Sequence, residues 1–175
     1  MVDEQGISKT PIVIRLCIIW FEFKPDDAGA YRNRGLAYSL LDNHQQAIMD
    51  LNKAIELKPD DAGAYAGRGL AYGNLGNHQQ SIKDLNKAIE LKPDDASAYA
   101  GRGLAYGNLG NYQQSIKDFN KAIELRPDFA EAYRNRGAAY GNLGNYQEAI
   151  ANFKIAARLG NKFAQDYLKE QGIKW

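Results

Sequence analysis

The chain has 175 residues, with 22 Lys and Arg against 21 Asp and Glu. The formal charge of +1 leaves no basic excess of the kind a dedicated nucleic-acid binder carries. Hydrophobic residues (45%) and charged residues (25%) are in the proportions of a folded domain with a real core. The single Cys17 excludes an internal disulfide framework and a multi-cysteine metal site.

Residues 1–24 form a divergent apolar segment. Between Pro11 and Phe23 the chain is rich in β-branched and aromatic side chains, with Arg15 the one charge in its middle. The run is shorter than the roughly 20 apolar residues of a membrane span. Asp3 and Glu4 stand where a secretory leader would be basic, and no small-residue cleavage site follows, so the expected location is cytoplasmic. Glu22, Pro25, Asp26, Asp27 and Ala28 match Glu90, Pro93, Asp94, Asp95 and Ala96 in register. The segment therefore reads as the remnant of a second helix from a lost repeat, serving as a cap on the first unit. The alternative is that residues 11–23 are a sticky surface for homo-oligomerisation, because open, β-prone apolar segments invite pairing.

From Pro25 onward the chain repeats every 34 residues. Pro25, Pro59, Pro93 and Pro127 keep that interval, as do Gly35, Gly69, Gly103 and Gly137, and Tyr31, Tyr65, Tyr99 and Tyr133. Residues 60–93 and 94–127 differ only at Gly63/Ser97, His78/Tyr112, Leu85/Phe119 and Lys92/Arg126, which marks duplication. The units are 26–59, 60–93, 94–127 and 128–160.

Each unit predicts two helices. In the second unit, residues 62–75 form one stretch, and Gly76 suits the left-handed turn that closes a helix. Asn77 with Gln80 forms a capping-box pattern at the start of the next, repeated by Asn43/Gln46, Asn111/Gln114 and Asn145/Glu148. Ile82, Leu85, Ala88, Ile89 and Leu91 then recur every three or four residues as one apolar stripe, and Pro93 stops the helix.

These positions resemble the tetratricopeptide repeat: an aromatic, a glycine, a tyrosine, a small residue, an aromatic or leucine, alanine and proline. The third unit supplies Tyr99, Gly103, Tyr106, Ser115, Phe119, Ala122 and Pro127. Two departures recur. Arginine (Arg34, Arg68, Arg102, Arg136) stands before the glycine in place of leucine, and Ser81 and Ser115 replace alanine. The resemblance implies an all-α, right-handed solenoid of four helix-turn-helix repeats. Residues 161–175 would form a capping helix and tail, with Phe163, Ala164, Tyr167 and Leu168 as the inner stripe.

Helix positions spaced 100° apart put Tyr31, Gly35, Tyr38 and their equivalents on the packing face. In tetratricopeptide superhelices the opposite side of each first helix lines a concave groove where partners bind. That side carries Arg32, Asn33, Leu36 and Leu40, then Ala66, Gly67, Leu70 and Asn74. It continues with Ala100, Gly101, Leu104 and Asn108, then Glu131, Arg134, Asn135, Ala138 and Asn142. The resemblance thus implies another polypeptide as partner, on an apolar floor with an Asn ladder along one side and Arg-Asn pairs at both ends. Asn33 and Asn135 resemble one member of a carboxylate clamp, but Ala66, Gly67, Ala100 and Gly101 stand where its other members would be.

A glycine inside a helix costs roughly 1 kcal/mol relative to alanine. Packing accounts for Gly69 and Gly103. For Gly67, Gly73, Gly101 and Gly107 two readings stand: room for a partner backbone on the groove floor, or simple copying by duplication. Arg68 and its equivalents are expected to pair with Asp60, Asp61 or Asp84.

The residues predict neither catalysis, cofactor nor metal. His44 and His78 occupy places taken by Tyr112 and Tyr146 in later units, which makes them packing residues. Cys17 lies in apolar surroundings that disfavour a thiolate. The string 73–77 is a helix connector without the Lys-Ser/Thr of a phosphate loop. Binding of single-stranded RNA would need a basic groove, and the central units are neutral. The expectation is a protein-binding adaptor; a structural, self-associating subunit is the alternative.

Overall fold

The computed structural model describes residues 26–175, so the expectations placed on 1–24, including the interface at 11–23, lie outside the described residues. Nine α-helices are found there: α1 (Ala28–Leu40), α2 (His44–Leu57), α3 (Ala62–Asn74), α4 (His78–Leu91), α5 (Ala96–Asn108), α6 (Tyr112–Leu125), α7 (Ala130–Asn142), α8 (Tyr146–Arg158) and α9 (Lys162–Glu170). The sequence period is the structural period.

Helix starts are set by side chains the sequence pattern did not single out. Asp27 Oδ1 accepts from the Gly29 and Ala30 amides, Asp61 from Ala64, and Asp95 from Ser97 and Ala98. All four expected asparagines sit at the N-cap, and Asn43 accepts from the Gln46 amide at 3.3 Å; the expected cap bond is corrected at Asn77, Asn111 and Asn145, which make none. The Asp caps sit at ψ of 93–103°, where the carboxylate hangs over the first-turn amides; these asparagines sit at 60–70°. Asn161, at ψ 108°, does cap α9 through the Ala164 amide. Gly76, with φ of +80°, makes the left-handed turn inside its unit, and the first unit uses Asp42 at +58° for the same turn.

The core is thin and built from small residues. Ala47, Leu51 and Ala54 of α2 close on Ala64 and Ala71 of α3; Leu85 and Ala88 meet Ala98, and Phe119 and Ala122 meet Ala132. Each buried Leu or Phe contributes about 1.5–3 kcal/mol. Gly69 permits a close approach: a Cβ there would lie 2.8 Å from Leu85 Cγ and 3.1 Å from the Ser81 carbonyl oxygen. Of the expected cap stripe on α9, Ala164 and Leu168 are buried, whereas Phe163 is 59% exposed.

Every helix packs on its chain neighbours, and α1, α3, α5 and α7 also pack on one another in succession, which the second helices do not match. First helices that touch while second helices splay apart place α1, α3, α5 and α7 on the inner side of a curved stack.

An arginine network ties the units together. Arg34 binds Asp50 through Nε and Nη2, both at 2.6 Å, and Arg68–Asp84 and Arg102–Asp118 repeat the two-pronged pair. Arg68, Arg102 and Arg136 also donate Nη1 to Asn52, Asn86 and Asn120 of the preceding unit. Each of these three thus joins three helices. Asp84 is the partner expected for Arg68, whereas Asp61 belongs to Arg32 of the previous unit at 2.8 Å. Hydrogen bonds to Asp50 and Asp118 raise the pKa of Arg34 and Arg102 above the ordinary arginine value. For Arg68 burial lowers the pKa, but Asp84 outweighs it and the net direction is upward. In the last unit Asn152 replaces the aspartate, and burial pushes Arg136 downward.

Candidate functional site

The inner side of the stack carries a row of leucines one unit apart. Leu36, Leu70 and Leu104 are 37%, 41% and 44% exposed, one unit apart on three successive first helices. Asn74 and Asn108 stand exposed one turn further along their helices, and Asn142 holds the equivalent place while donating Nδ2 to the Ala138 carbonyl at 2.9 Å. Asn33 is exposed and Asn135 half-buried. Leu40, where the later units have asparagine, is 84% exposed.

The glycines on this side belong to the fold. A Cβ on Gly67 would lie 2.7 Å from Leu36 Cδ2, and one on Gly101 would lie 2.7 Å from Leu70 Cδ2. Each leucine leans over the next unit's glycine, so no partner backbone reaches either glycine while the leucine stays seated. Gly67 is buried. Gly73 and Gly107 face Ser81 Oγ and Ser115 Oγ, each 3.2 Å from where a Cβ would be. These four glycines make room for the chain's own side chains, a packing role that neither copying by duplication nor room for a partner backbone had supplied.

The two ends of the row share a sequence and differ in state. Tyr-Arg-Asn-Arg-Gly occurs at Tyr31–Gly35 and again at Tyr133–Gly137. Arg32 donates Nη1 to Asp61, 29 residues later. The residue 29 after Arg134 is Phe163, and Arg134 lies over its ring with the guanidinium carbon 5.4 Å from the centroid. Arg134 forms no ion pair among the described residues.

Two clefts open at this second end, on either side of Ala138. One, of about 330 Å³, lies between α5 and α7 and is lined by Leu104, Asn108, Tyr112, Ser115, Asn135 and Asn142. The Ser115 hydroxyl is buried there with no hydrogen-bond partner among the described residues. The other, of about 390 Å³, lies between α7 and the α8–α9 pair, with walls of Tyr146, Ile150, Phe153, Phe163 and Tyr167 and with Arg134 as its one charged residue. The sequence reading missed these aromatics because it assigned Phe163 and Tyr167 to the buried cap stripe and Tyr146 to packing; Tyr146 is 70% exposed. The available signal was Ala138, the one stripe position without leucine.

Among the described residues no group of His, Cys, Asp and Glu is placed to hold a metal ion. No helix there is long and apolar enough to cross a membrane.

Tetratricopeptide-repeat family models match residues 28–61 and 130–163, and a related TPR-repeat model matches 74–110 and 108–144. The chain belongs to the tetratricopeptide-repeat family. Among solved structures, the crystal structure of MamA is 30% identical, covers 87% of this chain and 89% of its own, and superposes with a TM-score of 0.73. MamA from Desulfovibrio magneticus RS-1, 22% identical over 83% of this chain and 82% of its own, has the same TM-score and shares the fold. Comparison with curated proteins gives no match. Tetratricopeptide stacks are protein-interaction scaffolds, and this chain shares that architecture.

Proposed function

We propose that this tetratricopeptide domain is a non-catalytic scaffold that binds an extended polypeptide segment along its concave side. The observation that carries the reading is the leucine row, Leu36, Leu70 and Leu104, exposed on consecutive first helices beside Asn74 and Asn108. Apolar side chains held in water at a regular spacing mark a surface built to be covered. The neighbouring amides, carrying both a donor and an acceptor, can serve a peptide backbone that has lost its own partners to water exclusion. Arg32 is committed to Asp61, so Asn33, Leu36 and the stripe supply the contacts at the first end.

A displayed library of random dodecapeptides, panned on the native chain and on a Leu70→Asp, Leu104→Asp variant, tests this. Both leucines are partly exposed, so the variant should keep the helical signal of the native chain, with a lower melting temperature because Leu70 also covers Gly101. The expected result is enrichment on the native chain and loss on the variant. Peptides retained equally by both proteins, or no enrichment on the native chain, would overturn the groove reading.

A further inference from the structure

We infer that the C-terminal end of the groove is a specificity pocket for an acidic, aromatic-bearing peptide: a large apolar side chain enters the α7–α9 cleft while a nearby carboxylate pairs with Arg134. The inference rests on the groove reading and names the ligand class of that site.

The cleft exists because of one residue. In the first two units the stripe leucine extends onto the next first helix and fills the gap over Gly67 or Gly101. Ala138 holds the same place in the last unit and is three carbons shorter, so nothing from α7 fills the space in front of α9. Phe163 and Tyr146 border that space in largely exposed positions, and Phe153 and Tyr167 pack ring to ring behind them with centroids 4.9 Å apart. Such walls favour an aromatic or branched aliphatic guest, which gains both area burial and ring contacts.

The charge at the rim supplies the second half. Among the described residues Arg134 is the one charged residue lining the cleft, and no acidic side chain borders either cleft. Its guanidinium face is occupied by the Phe163 ring, which leaves the donor edge for a carboxylate. A carboxylate paired with the guanidinium forms a charge-assisted bond stronger than a neutral one. The same arginine in the first unit, Arg32, is already neutralised by Asp61, so this preference exists at one end only and gives the groove a direction. In an extended peptide, side chains two residues apart lie on one face about 7 Å apart, so the apolar and acidic residues are expected at that spacing.

The peptides selected on the native chain provide the test. They should carry a large apolar residue with Asp or Glu within two positions. Ala138→Leu restores the residue present at the three equivalent positions, so it should fold normally, and it should weaken those peptides at least tenfold. Arg134→Gln should remove the preference for the acidic residue while leaving apolar selection in place. Peptides that are lost on Leu70→Asp, Leu104→Asp yet bind Ala138→Leu unchanged would overturn the pocket and leave the groove reading standing. Oligouridine that binds the native chain and competes with the peptides at this cleft would overturn it in favour of a nucleic acid. Self-association of the native chain abolished by Ala138→Leu would overturn it in favour of a second copy.

Discussion

Replacing Asn152 by Asp gives the last unit the carboxylate found at Asp50, Asp84 and Asp118. In those three rungs the arginine forms two parallel bonds of 2.6–2.8 Å to a carboxylate that is almost fully buried. In the last rung Arg136 Nε reaches Asn152 Oδ1 at 2.8 Å, and the other amide atom, Nδ2, donates to the Glu148 carbonyl. The change gains a charge-assisted bond worth about 1.5–3 kcal/mol and loses a neutral bond worth about 1 kcal/mol. Desolvation of the new carboxylate offsets part of the gain, because position 152 is 6% exposed. The expected net effect is a stabilisation of about 1 kcal/mol, or roughly 2–4 °C in melting temperature for a chain of this size. Thermal unfolding followed by circular dichroism reads it. Hydrogen exchange should place the added protection in α7 and α8, since stability in a repeat array is a sum over neighbouring units. In an Arg136→Gln background the same substitution should become destabilising, because the carboxylate would be buried alone. A lower melting temperature with Arg136 intact would show that desolvation wins, and would refute the account of the network as stabilising.

The two glycines of α3 should respond differently to alanine. Gly69→Ala drives a Cβ to 3.1 Å from the Ser81 carbonyl oxygen and 2.8 Å from Leu85 Cγ, and overpacking of that kind costs about 1–3 kcal/mol by urea denaturation. Gly67→Ala displaces only the outer methyl of the partly exposed Leu36, so the helix-propensity gain of roughly 1 kcal/mol cancels most of the cost. Equal losses at both positions would contradict this. Asp61→Ala removes both the cap on the Ala64 amide and the partner of Arg32, and should cost about 1–2 kcal/mol in the same assay. Asn77→Ala removes no side-chain cap bond and should fall within about 0.5 kcal/mol of the native chain; a larger loss there would mean the asparagine caps in solution.

The 34-residue register, the two helices per unit, their stop signals and the tight contact at Gly69 were all legible in the sequence. Each is a local consequence of residue type: proline ends a helix, glycine turns or admits a neighbour, and an apolar stripe recurs with the helical period. The side of each first helix that carries the stripe also followed from the 100° spacing. What the stripe residues touch did not. The choice of Asp61 by Arg32, and of Phe163 by Arg134, depends on which side chain the following helix brings alongside. In sequence both arginines sit in the same five-residue string. The glycines followed the same rule, since only the stacking of one unit on the next shows that Leu36 and Leu70 occupy the space over Gly67 and Gly101. Residue type marked the four asparagine cap positions, but at Asn77, Asn111 and Asn145 it did not report that the side chain makes no cap bond. Sequence alone determined the units and their order, because helix formation and termination are short-range. The distinct character of the two groove ends was decided by tertiary packing, because it arises between residues 29 or more apart that only the stacking brings together.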